Sequence, residues 1–321
     1  MQSDTLRRCS ALTTAQIVYG MLSITWTFVS TAAAQAPAAA SAQSPAVSAV
    51  LQLEIDNDLF AVRGSGPPPD YDYTHGTHLS YSWNHSSVAL AQEIFTPRHN
   101  APSPVPGDRP YAAWLFGEYG YRRPAGSWLT TLTMRAGVTG PAALGEQVQN
   151  NVHRLLGNHL EEGWSHQLPT RLTLALRADE TRLLVSGGTP GPSRQLAATL
   201  GGTLGTIQRS VHGGLQSYLG FGAVRSATAN APLVERQGQW YIVAAYREDY
   251  VFYDAFLESA PRNANVSAAQ LRPLVAEAAA GVGWRTNRFA AEYRYVVRGR
   301  EYEAEPGAHP YGAIRLSMIA G

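Results

Sequence analysis

The strongest constraint on this chain is a repeated two-residue alternation that carries arginine on one of its faces. In FAAEYRYVVR, Phe289, Ala291, Tyr293, Tyr295 and Val297 share one side, while Glu292, Arg294 and Arg298 share the other. In WLTTLTMRAGV, Trp128, Thr130, Leu132, Met134, Ala136 and Val138 oppose Thr131, Thr133 and Arg135. Near the end, Ile314, Leu316 and Met318 oppose Tyr311, Arg315 and Ser317. Alternation of this kind over about ten residues marks a strand with two unlike faces. In a soluble sandwich the arginine face would be buried and would need partners for every charge, whereas the polar lumen of a membrane barrel accepts it beside Glu and Tyr.

The start of the chain has a different character. Arg7 and Arg8 precede an apolar run from Ile17 to Val29, and AAAQA ends at Ala36 with small residues suited to signal peptidase. Residues 1–36 are therefore expected to be a signal peptide, and the Pro/Ala/Ser-rich residues 37–47 a disordered linker. Residues 48–321, about 275 in all, are expected to form one domain. The only cysteine, Cys9, lies ahead of the apolar run, so no disulfide framework is expected. Beyond the leader no stretch approaches the roughly 18 to 20 apolar residues of a membrane helix. A net charge of +1 gives no signal for nucleic acid or another polyanion. A soluble periplasmic protein and an outer-membrane barrel remain, and 16 tyrosines with 7 tryptophans are enough for the two aromatic girdles of a barrel.

Counting strands between turn signals gives about twelve, hence an all-β, antiparallel transmembrane β-barrel with both ends of the wall on the periplasmic side. The outward loops then fall at 59–72, 96–110, 139–167, a short one near 209–214, 254–269 and 303–308. In the third, Leu144, Val148, Val152, Leu155 and Leu156 recur at helical spacing and Gly157 supplies a stop, so this loop should carry a short helix. Gln149 and His153 lie one turn apart on one of its faces.

Three outward segments gather chemistry on one rim: Asp56-Asn57-Asp58 at the top of the first strand, DYTHG at the top of the second, and the helix bearing His153. The plain alternative for His153 is a half-exposed surface imidazole, but histidine also has the pKa range of a general base near neutral pH. Aspartate and asparagine oxygens suit a hard cation such as calcium, which beside an imidazole base makes a device for ester hydrolysis. His75 and His78, three apart on a strand, point to opposite faces and do not form a two-histidine metal site. No GxSxG elbow occurs in the mature chain, which disfavours a covalent serine mechanism.

The ordered set DNDLF, DYDYTHGTHLSYSW, GDRPYAAWLFG, GVTGPAALGEQVQNNVHRLLG and GWSHQ resembles the outer-membrane lipid A 3′-O-deacylase family, most strongly over residues 50–167. The resemblance implies a twelve-stranded, calcium-dependent barrel that removes the 3′-linked acyloxyacyl chain of lipid A. It also implies chemistry like that of secreted phospholipase A2, in which histidine activates water. Carried onto this chain, the base falls on His153, the Asn-Asp pair and metal ligands on Asn57 and Asp58, and the threonine on Thr74. The family also uses a lysine from the loop after the third strand, and all 25 basic residues here are arginine. Arg98 or Arg109 could take over contact with a lipid A phosphate, or serve only as a solvated charge and a loop buttress; Gln149 is a further candidate for substrate contact. The expected partners are lipopolysaccharide and the outer membrane, with no protein partner and a monomeric chain. Two alternatives stand beside deacylation: a non-catalytic lipopolysaccharide-binding barrel, and a hydrolase acting on phospholipid.

Strict alternation from Leu51 places Gln52, Glu54, Asp56 and Asp58 inside and sends Asn57 toward lipid. A bulge or the strand end is therefore expected at Asn57, re-aiming it toward the site.

Overall fold

The computed structural model describes residues 49–61, 71–187, 193–221, 239–258, 268–286 and 288–320. The expected signal peptide and linker lie outside the described residues. Among the described residues there are twelve strands: β1 (Ala49–Asn57), β2 (Asp72–Trp83), β3 (Ser86–Thr96), β4 (Ala112–Ala125), β5 (Trp128–Thr139) and β6 (Leu172–Gly187), followed by β7 (Ser193–Gly205), β8 (Gln208–Phe221), β9 (Gln239–Asp254), β10 (Leu274–Arg285), β11 (Phe289–Arg298) and β12 (His309–Ala320). Each pairs antiparallel with its neighbours in sequence, and β12 closes the wall by pairing with β1 from Ala49↔Ala320 to Asn57↔Gly312. Two α-helices complete the set, α1 (Gly145–Leu156) and α2 (Ala255–Glu258).

The alternation read from the sequence becomes the two faces of this wall. Glu54 meets Arg315 at 2.7 Å, Glu118 meets Arg135 at 2.7 Å, Asp179 meets Arg177 at 2.7 Å and Glu292 meets Arg294 at 2.6 Å. All of these except Asp179 line an interior cavity of about 510 Å³ that Arg177 also lines. The outward positions of the same strands are apolar and exposed, among them Leu132, Met134, Leu174, Leu176, Leu316 and Met318. Arg135, Arg177, Arg294 and Arg315 are stable inside because each of these guanidiniums meets a carboxylate in a polar lumen rather than hydrocarbon.

Loop positions follow the expected parity, with one shift. The short outward loop lies at 206–207 rather than near 209–214, because β8 already begins at Gln208. Gly213 and Gly214 are mid-strand, where a Cβ on Gly214 would come within 2.8 Å of the Tyr246 carbonyl oxygen. Long loops emerge from the end of the barrel that carries 58–71, 97–111, 140–171 and 299–308, while 84–85 and 126–127 are tight turns at the other. In bacterial barrels the long loops face outward.

A buried ion cluster binds the outward loops to each other. Arg98 contacts Asp72 at 2.5 Å and Glu305 at 3.5 Å, and Arg109 contacts Glu301 at 3.0 Å and Asp72 at 3.9 Å. The Tyr302 hydroxyl donates to Asp72 and Asp108, and His309 Nε2 donates to the Tyr73 carbonyl. Burial alone would raise Glu301, but Arg298 and Arg109 outweigh it and hold this carboxyl at about 2. Glu305 goes the other way: burial, and then the charges of Asp72 and Glu301, push it up to about 7. A carboxyl raised in the folded state stabilises the fold while protonated, and that stabilisation is lost as pH rises from its ordinary value toward its folded one. Urea unfolding of the detergent-solubilised protein is therefore expected to show a midpoint that falls as pH rises from 4.5 to about 7. Glu305→Gln should flatten that slope, and an unchanged slope would exclude Glu305 as its source.

Candidate active site

β1 ends at Asn57. Its side-chain Oδ1 accepts the Leu59 N–H at 2.8 Å, capping a single 3-10 turn, Asp58–Phe60. The turn folds over β12 at Gly312, where a Cβ would lie 2.6 Å from Phe60, and the Tyr293 hydroxyl donates to the Phe60 carbonyl at 2.8 Å. Only a residue without Cβ admits so close a backbone.

The strand end expected at Asn57 is found, but no bulge re-aims the side chain. β1 pairs in unbroken register through Asn57 on both sides. Glu54 and Asp56 line the lumen, whereas Ile55 and Asn57 line a second cavity on the outward face. The irregularity lies instead in the partner strand, where β2 slips between Tyr73 and His75 and leaves Thr74 as the extra residue. Tyr73 stays inside, its hydroxyl donating to Asp56 at 2.9 Å, while Thr74 and His75 both border the outward cavity. A bulge sends two consecutive side chains toward one region, which regular alternation forbids.

The roof of this cavity is α1. Gly145 lets the helix start settle on Ala113 and Trp164, both of which a Cβ there would strike. The Trp164 indole N–H donates to Gln149 Oε1 at 3.0 Å, and Asn150 exchanges hydrogen bonds with the backbone of Glu161. The Tyr111 hydroxyl donates to the Glu161 carboxylate at 2.5 Å, tying this segment to the base of β4. On the next turn His153 is buried, with Nδ1 2.5 Å from the His159 carbonyl oxygen. A carbonyl only accepts, so Nδ1 carries the proton and Nε2 is the basic nitrogen of the neutral ring.

Asn57, Asp58, Thr74, His75, Gln149 and His153 thus border one cleft of about 280 Å³. Its apolar walls are Ile55, Leu59, Phe60, Ile94, Val148, Val152 and Leu156. Asn57 Nδ2 lies 3.3 Å from His75 Nδ1, and His75 Nε2 lies 2.7 Å from Thr77 Oγ1. Because the Asn57 amide nitrogen can only donate, His75 Nδ1 accepts and Nε2 bears the proton. Thr74 Oγ1 contacts Thr96 Oγ1 at 2.5 Å. Among the described residues no group of three His, Cys, Asp or Glu side chains is arranged to hold a metal. The oxygen donors that border the cleft beside the Asp58 carboxylate include the Asn57 amide oxygen and the Thr74 hydroxyl. An all-oxygen set of this kind fits a hard cation that keeps water or substrate oxygens in its remaining positions.

A profile of the family described as outer membrane protein LpxR matches residues 24–320. The chain belongs to the LpxR family. The solved structure of LpxR from Salmonella typhimurium superposes with a TM-score of 0.73 at 19% identity, covering 84% of this chain and 100% of that one. The NanC porin superposes with a TM-score of 0.37 at 6% identity, covering 85% and 100%, and the Pseudomonas putida toluene transporter TodX with 0.36 at 12%, covering 85% and 89%. No curated protein sequence matches.

In this LpxR-family chain the two arginines considered for phosphate contact lie outside the cleft. Arg109 is enclosed, 1% exposed, against Glu301 and Asp72 with its guanidinium over the Phe95 ring, so it is out of reach of a bound lipid phosphate. Arg98 spans Asp72 and Glu305 and stacks on Tyr71. Both are raised: burial would lower them, and the neighbouring carboxylates, Glu301 for Arg109 and Asp72 for Arg98, more than offset it. Gln149 borders the cleft while its oxygen holds Trp164, a positioning contact the sequence did not suggest. His75 was set aside in the sequence, yet it hydrogen-bonds Asn57; its partner in HGTH, His78, faces the lumen. His159, Trp164 and Thr96 were legible only as loop and strand residues, since their contacts cross the fold. Gly145→Val should lift α1 from the rim and abolish the cleft while sparing the wall. Proteolysis within 145–156 should accelerate by at least about tenfold, as expected for a helix whose packing is lost, with the barrel core still resistant.

Proposed function

We propose that this chain is a lipid A 3′-O-deacylase that hydrolyses the 3′-linked acyloxyacyl ester in the outer leaflet. The observation that carries this reading is the placement of His153, with a defined basic nitrogen, beside Asn57, Asp58 and Thr74 in a cleft on the membrane-facing side of an outer-membrane barrel. An ester carbonyl entering from the lipid side would meet Asn57, Asp58, Thr74 and His153 together at this level of the wall.

In this mechanism His153 Nε2 takes a proton from a water, and the hydroxide formed attacks the ester carbonyl carbon. The His159 carbonyl, bonded to Nδ1–H, stabilises the imidazolium so produced. Collapse of the tetrahedral intermediate returns the proton from Nε2 to the departing sugar oxygen, releasing a fatty acid and a free hydroxyl. A calcium ion held by Asp58 and Asn57 would polarise the carbonyl and stabilise the developing oxyanion. Asn57 is oriented for that task by the Leu59 N–H and by His75, and Thr74 by Thr96. The apolar walls, Val148, Val152, Leu156 and Ile55, exclude bulk water and receive acyl chain.

A second reading, phospholipid hydrolysis by the same groups, is favoured by one observation. Arg98 and Arg109, the cations expected to recognise a lipid A phosphate, are committed to carboxylates. Mass spectrometry of the lipid A and phospholipid pools from cells with and without expression separates the two. Lipid A lacking the 3′-linked chain, with phospholipids unchanged, is the expected result. His153→Ala and Asn57→Ala should each yield a folded barrel with activity reduced by about 10²- to 10⁴-fold, the usual worth of general base or oxyanion support. Full activity in the His153 variant would refute its role as base.

A further inference from the structure

α1 is turned inside out. Its buried residues are Gly145, Gln149, Asn150 and His153, so the face it turns to the protein is polar, while Glu146, Gln147, Asn151 and Arg154 are exposed on its far side. Its apolar stripe faces away: Leu155 is 84% exposed, Leu156 53% and Val152 43%, with Leu144 at the helix start 49%. In a soluble helix the stripe faces the core, and this much leucine in water is unfavourable. The stripe is therefore a surface with an occupant.

The register of the wall identifies that occupant. Outward side chains of β1, β2 and β3 line up in rows: Leu51 with Tyr81 and Val88, Leu53 with Leu79 and Leu90, Ile55 with Thr77 and Gln92, Asn57 with His75 and Ile94. The first two rows are apolar and belong to the lipid-facing belt, with Leu51, Leu79, Tyr81, Val88 and Leu90 all exposed. The rows rise by roughly 7 Å each along the strands, two residues at a time. The third row is mixed and the fourth, the level of the candidate active site, is mainly polar. At that level α1 restores an apolar surface, because Val152 and Leu156 share the cleft with Ile55 and Asn57 and lead outward to Leu155. The stripe is continuous with the belt through the cleft.

We propose that the leucine stripe of α1 inserts into the acyl layer of the outer leaflet and extends the hydrocarbon boundary up to the catalytic row. An acyl ester then reaches His153 without its chain passing through water, and the cleft opens sideways into the bilayer. Insertion of the stripe stands on exposure and register; only its role in delivering an ester rests on the proposed deacylase reading. An amphipathic helix seated at the acyl boundary is an established mode of interfacial association.

The test reads position and not activity. Single cysteines are placed at Leu155→Cys and Val152→Cys in a Cys9→Ser background, labelled with bimane, and reconstituted in phosphatidylcholine vesicles with or without brominated acyl chains. Leu90→Cys serves as the membrane reference and Glu146→Cys, on an exposed polar position, as the aqueous one. Brominated chains should quench the probes at 155 and 152 to at least roughly half the extent seen at 90, as for an interfacial helix, while iodide should quench only the probe at 146. Iodide quenching at 155 and 152 without quenching by lipid would overturn the proposal. Protection of both from either quencher, the pattern of a stripe covered by a second copy or another protein, would also overturn it. Expected quenching together with no released acyl chain from lipid A treated with the unsubstituted protein would refute the function and leave the insertion standing.

Discussion

A wall exposed to hydrocarbon must satisfy every backbone N–H and C=O within itself, because no water is present to take up an unpaired group. Closure of β12 on β1 meets that requirement, and the rest of the structure depends on it. Once the ladder is continuous, side chains have only two directions available, and the ion pairs of the middle of the wall lie in the lumen. The arginine-carboxylate pairs between Glu54, Glu292, Arg294 and Arg315 fill part of that interior and link β1, β11 and β12. They make the lumen a charged core and leave the outer surface apolar.

Against this regularity the candidate active site is built from two local departures. The strand end at Asn57 frees a side chain that the ladder already directs outward, and the extra residue at Thr74 turns two consecutive side chains of β2 to the same region. Neither departure would shape a site without a cover. α1 supplies one, held by Trp164, Glu161 and Ala113 and, from its hydrophobic stripe, by Val148 alone, which packs against the cluster around Trp164. Its packing through polar groups leaves the leucines for another environment.

The ion cluster at the base of the loops acts on the same region. Asp72 opens β2 with a left-handed backbone, φ +64°, and is gripped by Arg98 and Tyr302 two residues before Thr74. Arg109 and Glu301 extend the grip across loops far apart in sequence. Removing one partner from such a pair leaves a charge buried without compensation, so the set is retained or lost together. The cations that motif reasoning offered to the substrate are used to hold the entrance of β2 in place.

By itself the sequence determined the wall and its level of chemistry. Period-two alternation with arginine on one face admits few folds other than a barrel with a polar lumen, and the helical spacing from Leu144 to Leu156 with Gly157 behind it specifies α1. Asn57, Asp58, Thr74, Gln149 and His153 were legible because their motifs stand at strand ends and on one helix face, which parity sends to one rim. Only the tertiary structure decided which side of the wall the site occupies, because a register continues or slips according to pairing across strands and not along one. It also decided that Arg98 and Arg109 face Asp72, Glu301 and Glu305, and that His75, Trp164 and His159 orient the site, since each of those contacts joins segments that come together only when the barrel closes and its loops fold over the rim.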